Sequence, residues 1–162
     1  MEQSPIFVLL SDIAEYPNAV RDPEFDGRMD FQPRTLTGYR CSEIEAMYNW
    51  EPNGPMKGFS QTLMCRFSGR VPHFNYMARI MMNSEPHYNV MLPHEDGTYL
   101  VIGNHASDID MDLRMVEHQT FVIQCPYAPD PFPYFDGEVS VTDCNVPELM
   151  ERLYGINPQP KY

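Results

Sequence analysis

Basic charge is what this chain has least of. Lysine and arginine number 11 against 23 aspartates and glutamates, a formal net charge of −12. Duplex nucleic acid is held by neutralising phosphates and releasing counterions, so no direct duplex binding is expected of so acidic a chain. Long apolar runs are missing too. The longest near the start, Ile6 to Leu10, falls far short of the roughly 18 residues of a membrane span. No basic stretch followed by an apolar core opens the chain, so a secretion signal is not expected. A soluble protein, cytoplasmic or carried in a virus particle, is the expectation. Cysteine is sparse: Cys41, Cys65, Cys125 and Cys144 form no C-x-x-C pair, which excludes a zinc ribbon or a dithiol redox motif. They are expected to be reduced and buried. A P-loop, a Gly-x-Gly-x-x-Gly turn and a nucleophile elbow are all absent, and no cofactor is expected.

What is present is enough for one domain. A chain of 162 residues with 43% hydrophobic content can bury a real core without metals or disulfides. Sixteen prolines and nine glycines cut it into short elements. Pro5 to Leu10 predicts a buried strand, and Ser11 a cap for a helical turn through Tyr16. Residues 17–40 hold three prolines, two glycines and scattered charges, and predict a long irregular loop. Ser42-x-x-Glu45 is a capping-box pattern, predicting a short helix that ends near Trp50. Phe59 to Phe67 suits a strand, whereas Phe74 to Met82 fits helix and strand alike. Tyr88–Leu92 and Thr98–Ile102 flank an Asp-Gly step and predict a hairpin. Asp110–Val116, Thr120–Cys125 and Glu138–Thr142 predict three more strands. Pro126, Pro129, Pro131 and Pro133 predict an extended arm over 126–135. Asn145 predicts the N-cap of a last helix, with Pro147 in its first turn and Gly155 at its end. A short tail covers 157–162.

The fold class expected is therefore α+β and β-rich, a single domain. Its mostly antiparallel sheet would be a sandwich or a partly open barrel, with two or three short helices and long proline-rich loops.

Candidate chemistry is thin. Phe7 to Asp12 and Leu100 to His105 have the outline of the strand–Asp and Gly-Asn-His steps of metallophosphoesterases. Two positions after Asp12 stands Ala14, however, Ala106 follows His105, and the Gly-Asp-x-x-Asp segment and the later paired histidines are missing, so that family is rejected. His105-x-Ser107 and His118-x-Thr120 match the three-residue pattern of two-histidine phosphoesterases but lie too close together in the chain. Asp108, Asp110 and Asp112 alternate, and would share one face of a strand that can hold a divalent cation or merely guard a sheet edge. Should a metal site exist, Asn104, His105, Asp108 and Asp110 are its candidates.

Charge is unevenly spread. Residues 52–84 carry Lys57, Arg66, Arg70 and Arg79 and no acid, inside strongly acidic flanks. Such a segment can meet an acidic neighbour or neutralise the protein's own loops. With no catalytic constellation, the expected function is a non-enzymatic structural or interaction subunit of a larger assembly. A virion component (capsid-decorating, connector or tail accessory protein) is its concrete form. Other protein subunits, homo- or hetero-oligomeric, are the expected partners. The expected interface residues are Arg66, Arg70 and Arg79 of the basic segment, with Tyr127, Phe132, Tyr134 and Phe135 of the arm. The alternatives are an acidic inhibitor that mimics nucleic acid or neutralises a toxin, and a small metal-dependent hydrolase.

Overall fold

The computed structural model describes residues 3–14, 27–55, 57–71, 74–84, 87–103, 112–117, 119–128 and 130–155, with the backbone alone at 112–117 and 127. Two open sheets face each other. The larger joins β1 (Ile6–Leu9), β2 (Thr35–Arg40), β5 (Tyr88–Pro93), β6 (Tyr99–Ile102), β9 (Tyr134–Phe135) and β10 (Glu138–Asp143) in the order β10-β2-β1-β5-β6-β9. The smaller joins β3 (Ile44–Pro52), β4 (Phe59–Phe67), β7 (Asp112–Glu117) and β8 (Thr120–Ala128) in the order β3-β4-β8-β7. These strands pair with one another antiparallel except β10 with β2, which runs parallel. The result is a β-rich α+β sandwich, not a closed barrel.

Alternation of side chains decides what lies between the sheets. Phe7, Tyr88, Val90, Leu92 and Ile102 of the larger sheet meet Ile44, Ala46, Leu63, Cys65, Phe67, Phe121, Ile123 and Cys125 of the smaller. Two helices, α1 (Phe74–Met82) and α2 (Val146–Tyr154), add Met77, Met81, Leu149, Met150 and Leu153 to this core. A second cluster covers the other face of the larger sheet. There Ile6, Val8, Leu36, Met91 and Val101 pack under Ile13, Met29, Phe31 and Phe135. This double burial explains why β5 is apolar nearly throughout instead of alternating. Asn89, opposite Val8 in the register, is the exception, buried with neither amide atom hydrogen-bonded. Desolvating such a group costs about 1–3 kcal/mol.

Several local expectations hold. The β5–β6 hairpin turns at Gly97, whose φ is +87°, with Thr98 N–H donating to Asp96 Oδ1 at 2.9 Å. Helix α2 starts where Asn145 Oδ1 accepts from Glu148 N–H at 2.9 Å, and stops at left-handed Gly155. The ambiguous segment from Phe74 is helical, burying Met77, Ala78 and Met81 on one face.

Others are corrected. Ser42 to Trp50 does not begin a helix. Ile44, Ala46, Tyr48 and Trp50 carry a period of two, and pairing with all of β4 outweighs a four-residue capping pattern. Ser11 caps nothing; it lies inside a 3-10 turn, Leu10–Asp12. The loop expected at 17–40 contains β2, and residues 27–34 form the lid of the second cluster. The arm expected at 126–135 is not free. β8 continues to Ala128, and Phe135 pairs with Tyr99 as a strand. Residues 17–26 and the tail 157–162 lie outside the described residues.

Candidate interaction surface

The β3–β4 hairpin brings aromatic side chains to one end of the sandwich. Tyr48 and Trp50 follow Ile44 and Ala46 on the inward face of β3, and Phe59 begins β4 opposite Pro52. The chain from Asp130 to Pro133 crosses this end and sets Phe132 over it. Ring centroids of Phe132 lie 6.1 Å from Tyr48 and 5.8 Å from Trp50, and Trp50 lies 5.6 Å from Phe59. The two Trp50 contacts are edge-to-face, the favoured geometry for aromatic pairs. Phe132 is nevertheless 54% exposed. It is the one exposed ring of the four; Tyr48, Trp50 and Phe59 are half-buried.

Hydrogen bonds hold this surface rigidly. Tyr48 donates its hydroxyl to the Pro131 carbonyl at 2.5 Å and accepts from Gln61 Nε2 at 3.2 Å. Burial pushes the Tyr48 hydroxyl up to about 12, so it stays protonated and keeps donating. Phe132 N–H donates to Asp130 Oδ1 at 2.8 Å, and Val101 N–H to the Pro133 carbonyl at 2.8 Å. The hairpin loop is tied down beside it: Asn53 Nδ2 donates to the Pro126 carbonyl at 2.7 Å, and Ser60 Oγ to Asn53 Oδ1 at 2.7 Å. Gly58, at φ +76°, sits against the Ala128 carbonyl where a Cβ would collide.

The sequence-predicted interface residues do not form one site. Phe132 is exposed and Tyr134 half-buried, while Tyr127 is described by its backbone alone. Phe135 is withdrawn from the interface. It is fully buried in the second cluster, its ring 5.7 Å from Phe31 and covered by the Arg34 guanidinium at 5.1 Å. Arg66 lies at the far end of β4 from Phe59, about 23 Å away at the rise of an extended strand. It pairs with Glu45 at 3.7 Å, so part of the basic segment neutralises the protein's own acid. Arg70 is exposed on a loop that Gln119 fastens by accepting from Val71 N–H at 2.6 Å. Arg79 is exposed in the last turn of α1.

No known family model, curated protein or solved structure matches this chain. The geometry alone therefore carries the functional argument.

Trp50 and Tyr48 were not expected at an interface. Their signal was the two-residue period from Ile44 to Trp50, hidden by the capping-box reading. Met47 and Met64 form a second apolar spot on the outward face of the smaller sheet. They are direct register partners, 49% and 47% exposed. An open hollow of about 530 Å³ is lined by Gln3, Ser4, Arg40, Ser42, Pro93 and Asp143. Its two charged groups pair with each other at 3.0 Å. Asn104, His105, Asp108 and Asp110 lie outside the described residues; among the described residues, no three His, Cys, Asp or Glu side chains are grouped to hold a metal ion. No helix among the described residues is long and apolar enough to cross a membrane.

Proposed function

We propose that this protein is a non-enzymatic subunit of a larger protein assembly, a virion component being its concrete form, and that it docks through the aromatic end formed by Tyr48, Trp50, Phe59 and Phe132. The exposed Phe132 ring on a hydrogen-bonded support is the observation that carries this reading. Aromatic side chains dominate binding energy at protein interfaces when they seat in a partner's pocket. A support fixed before binding also lowers the ordering cost of association. Asp130 stands beside the rings, its Oδ1 accepting from Phe132 N–H, so the complementary socket is apolar with a basic group at its edge.

The test begins with sedimentation of the purified chain over a wide concentration range. Where the chain self-associates, Phe132→Ala weakens the association at least tenfold, as expected for a loss of about 1.4 kcal/mol or more. Where it stays monomeric, the partner is taken from the native complex by cross-linking and mass spectrometry, and its affinity falls by the same factor. The variant should keep its thermal midpoint to within a few degrees, since the deleted ring is more than half exposed. Unchanged affinity in both Phe132→Ala and Trp50→Ala would show that the aromatic end is not the docking surface.

A further inference from the structure

The ends of the parallel pair β2–β10 place two cysteines side by side. The ladder runs in register from Glu138 opposite Thr35 to Asp143 opposite Arg40. It continues by one bond, Cys144 N–H to the Arg40 carbonyl at 2.8 Å. In a parallel ladder the residue that bonds the carbonyl of one position stands opposite the next, so Cys144 is the register partner of Cys41. Neighbouring strands lie about 4.8 Å apart. Disulfides span Cα separations of roughly 4.4–6.8 Å. The faces agree as well. Leu36 and Val139 point into the second cluster, whereas Tyr39, Cys41 and Cys144 all pack on the intersheet core.

We propose that Cys41 and Cys144 form a disulfide under oxidising conditions, locking the edge strand β10 and the start of α2 onto β2. Cys144 is the half-buried entry point and Cys41 the buried resolving partner. The oxidant is a small-molecule disulfide such as oxidised glutathione. The Cys144 thiolate attacks it and releases one thiol, then the Cys41 thiolate attacks the mixed disulfide and releases the second. Two protons and two electrons leave the protein, and one S–S bond is exchanged for another. The remaining cysteines supply an internal control. Cys65 faces Phe121 and Cys125 faces Gln61, four register positions away along β4 and β8, about 13 Å.

The experiment incubates the folded full-length chain with oxidised glutathione at mildly alkaline pH, then counts thiols after denaturation and maps linked peptides. All four cysteines start free. The expected result is two remaining thiols and one cross-link, between Cys41 and Cys144, within a single chain. Closing about 100 residues of chain should raise the thermal midpoint by on the order of 10 °C, reversed by dithiothreitol. Cys144→Ser, a half-buried change, should fold, retain three thiols and show no midpoint rise. Cys65→Ser should still form the bond; if it does not fold, Cys125→Ser serves the same purpose. Four thiols surviving prolonged oxidation, a bond to Cys65 or Cys125, or a bond between two chains would each overturn the assignment.

Discussion

Gln61 joins the two sheets, and replacing it with leucine should separate its polar role from its bulk. The side chain is fully buried on β4. Its Nε2 donates to the Val101 carbonyl on β6 at 2.9 Å, and its Oε1 accepts from Gly103 N–H at 3.4 Å. The reason for this arrangement lies in β9. Val101 N–H bonds the Pro133 carbonyl, but proline has no N–H to return to the Val101 carbonyl. Gln61 supplies the missing donor from the opposite sheet. In Gln61→Leu the Val101 carbonyl stays buried and loses this donor, the Tyr48 hydroxyl loses one of its two partners, and the long bond to Gly103 adds little. The expected loss is about 2–3 kcal/mol, the cost of an orphaned buried acceptor plus a weaker bond, less a small apolar gain. That corresponds to a fall of about 5–10 °C in thermal midpoint at this chain length. Urea unfolding followed by the fluorescence of Trp50, the chain's single tryptophan, measures it directly. Gln61→Glu sharpens the test. A carboxyl at this buried position has its pKa raised above the unfolded value, so the variant should be least stable at neutral pH and regain stability as pH falls through that raised pKa. Wild-type stability in Gln61→Leu would refute the argument, because it would mean that the Val101 carbonyl needs no donor from the opposite sheet.

Two further outcomes follow from the same structure. Asp136 accepts from Arg28 Nε at 2.8 Å and pairs with Arg34, and these bonds hold its carboxyl at about 2 instead of 3.8. A depressed folded-state pKa contributes stability above the unfolded value and loses it as pH falls from about 4 towards 2; Asp136→Asn should flatten the stability–pH profile in that window, and an unaltered profile would show that the pairs do not couple to folding. Gly38 sits where a Cβ would run into Ile6 and Val139 side chains. Gly38→Ala should cost about 1–3 kcal/mol by overpacking, and Val139→Ala in the same chain should recover part of it; a stable single variant would contradict the close approach of β1, β2 and β10.

Features written within a few neighbouring residues were legible. The Asp96-Gly97 turn, the Asn145 cap with Pro147 and Gly155, and the apolar run of β5 all express preferences of backbone or capping geometry, so the sequence predicted them at nearly their observed positions. Where a local signal competed with a distant partner, it misled. Ser42-x-x-Glu45 looks like a helix start, but nine register pairs with β4 make Ile44–Pro52 a strand. Proline spacing predicted a free arm over 126–135. The backbone of that segment is instead consumed by bonds to Val101, Met29 and Gly27, and its deletion should damage the fold instead of sparing it.

By itself the sequence determined an acidic, β-rich domain with defined turns, one well-capped helix and no long apolar span, because charge, period and turn chemistry act over a few residues. Tertiary structure alone decided that Phe132 is exposed while Phe135 is core, that Gln61 completes a bond for a strand it never pairs with, and that Cys41 stands opposite Cys144. Those outcomes depend on which strands pair and in what register. Many residues contribute to that choice at once, and no single residue type announces it.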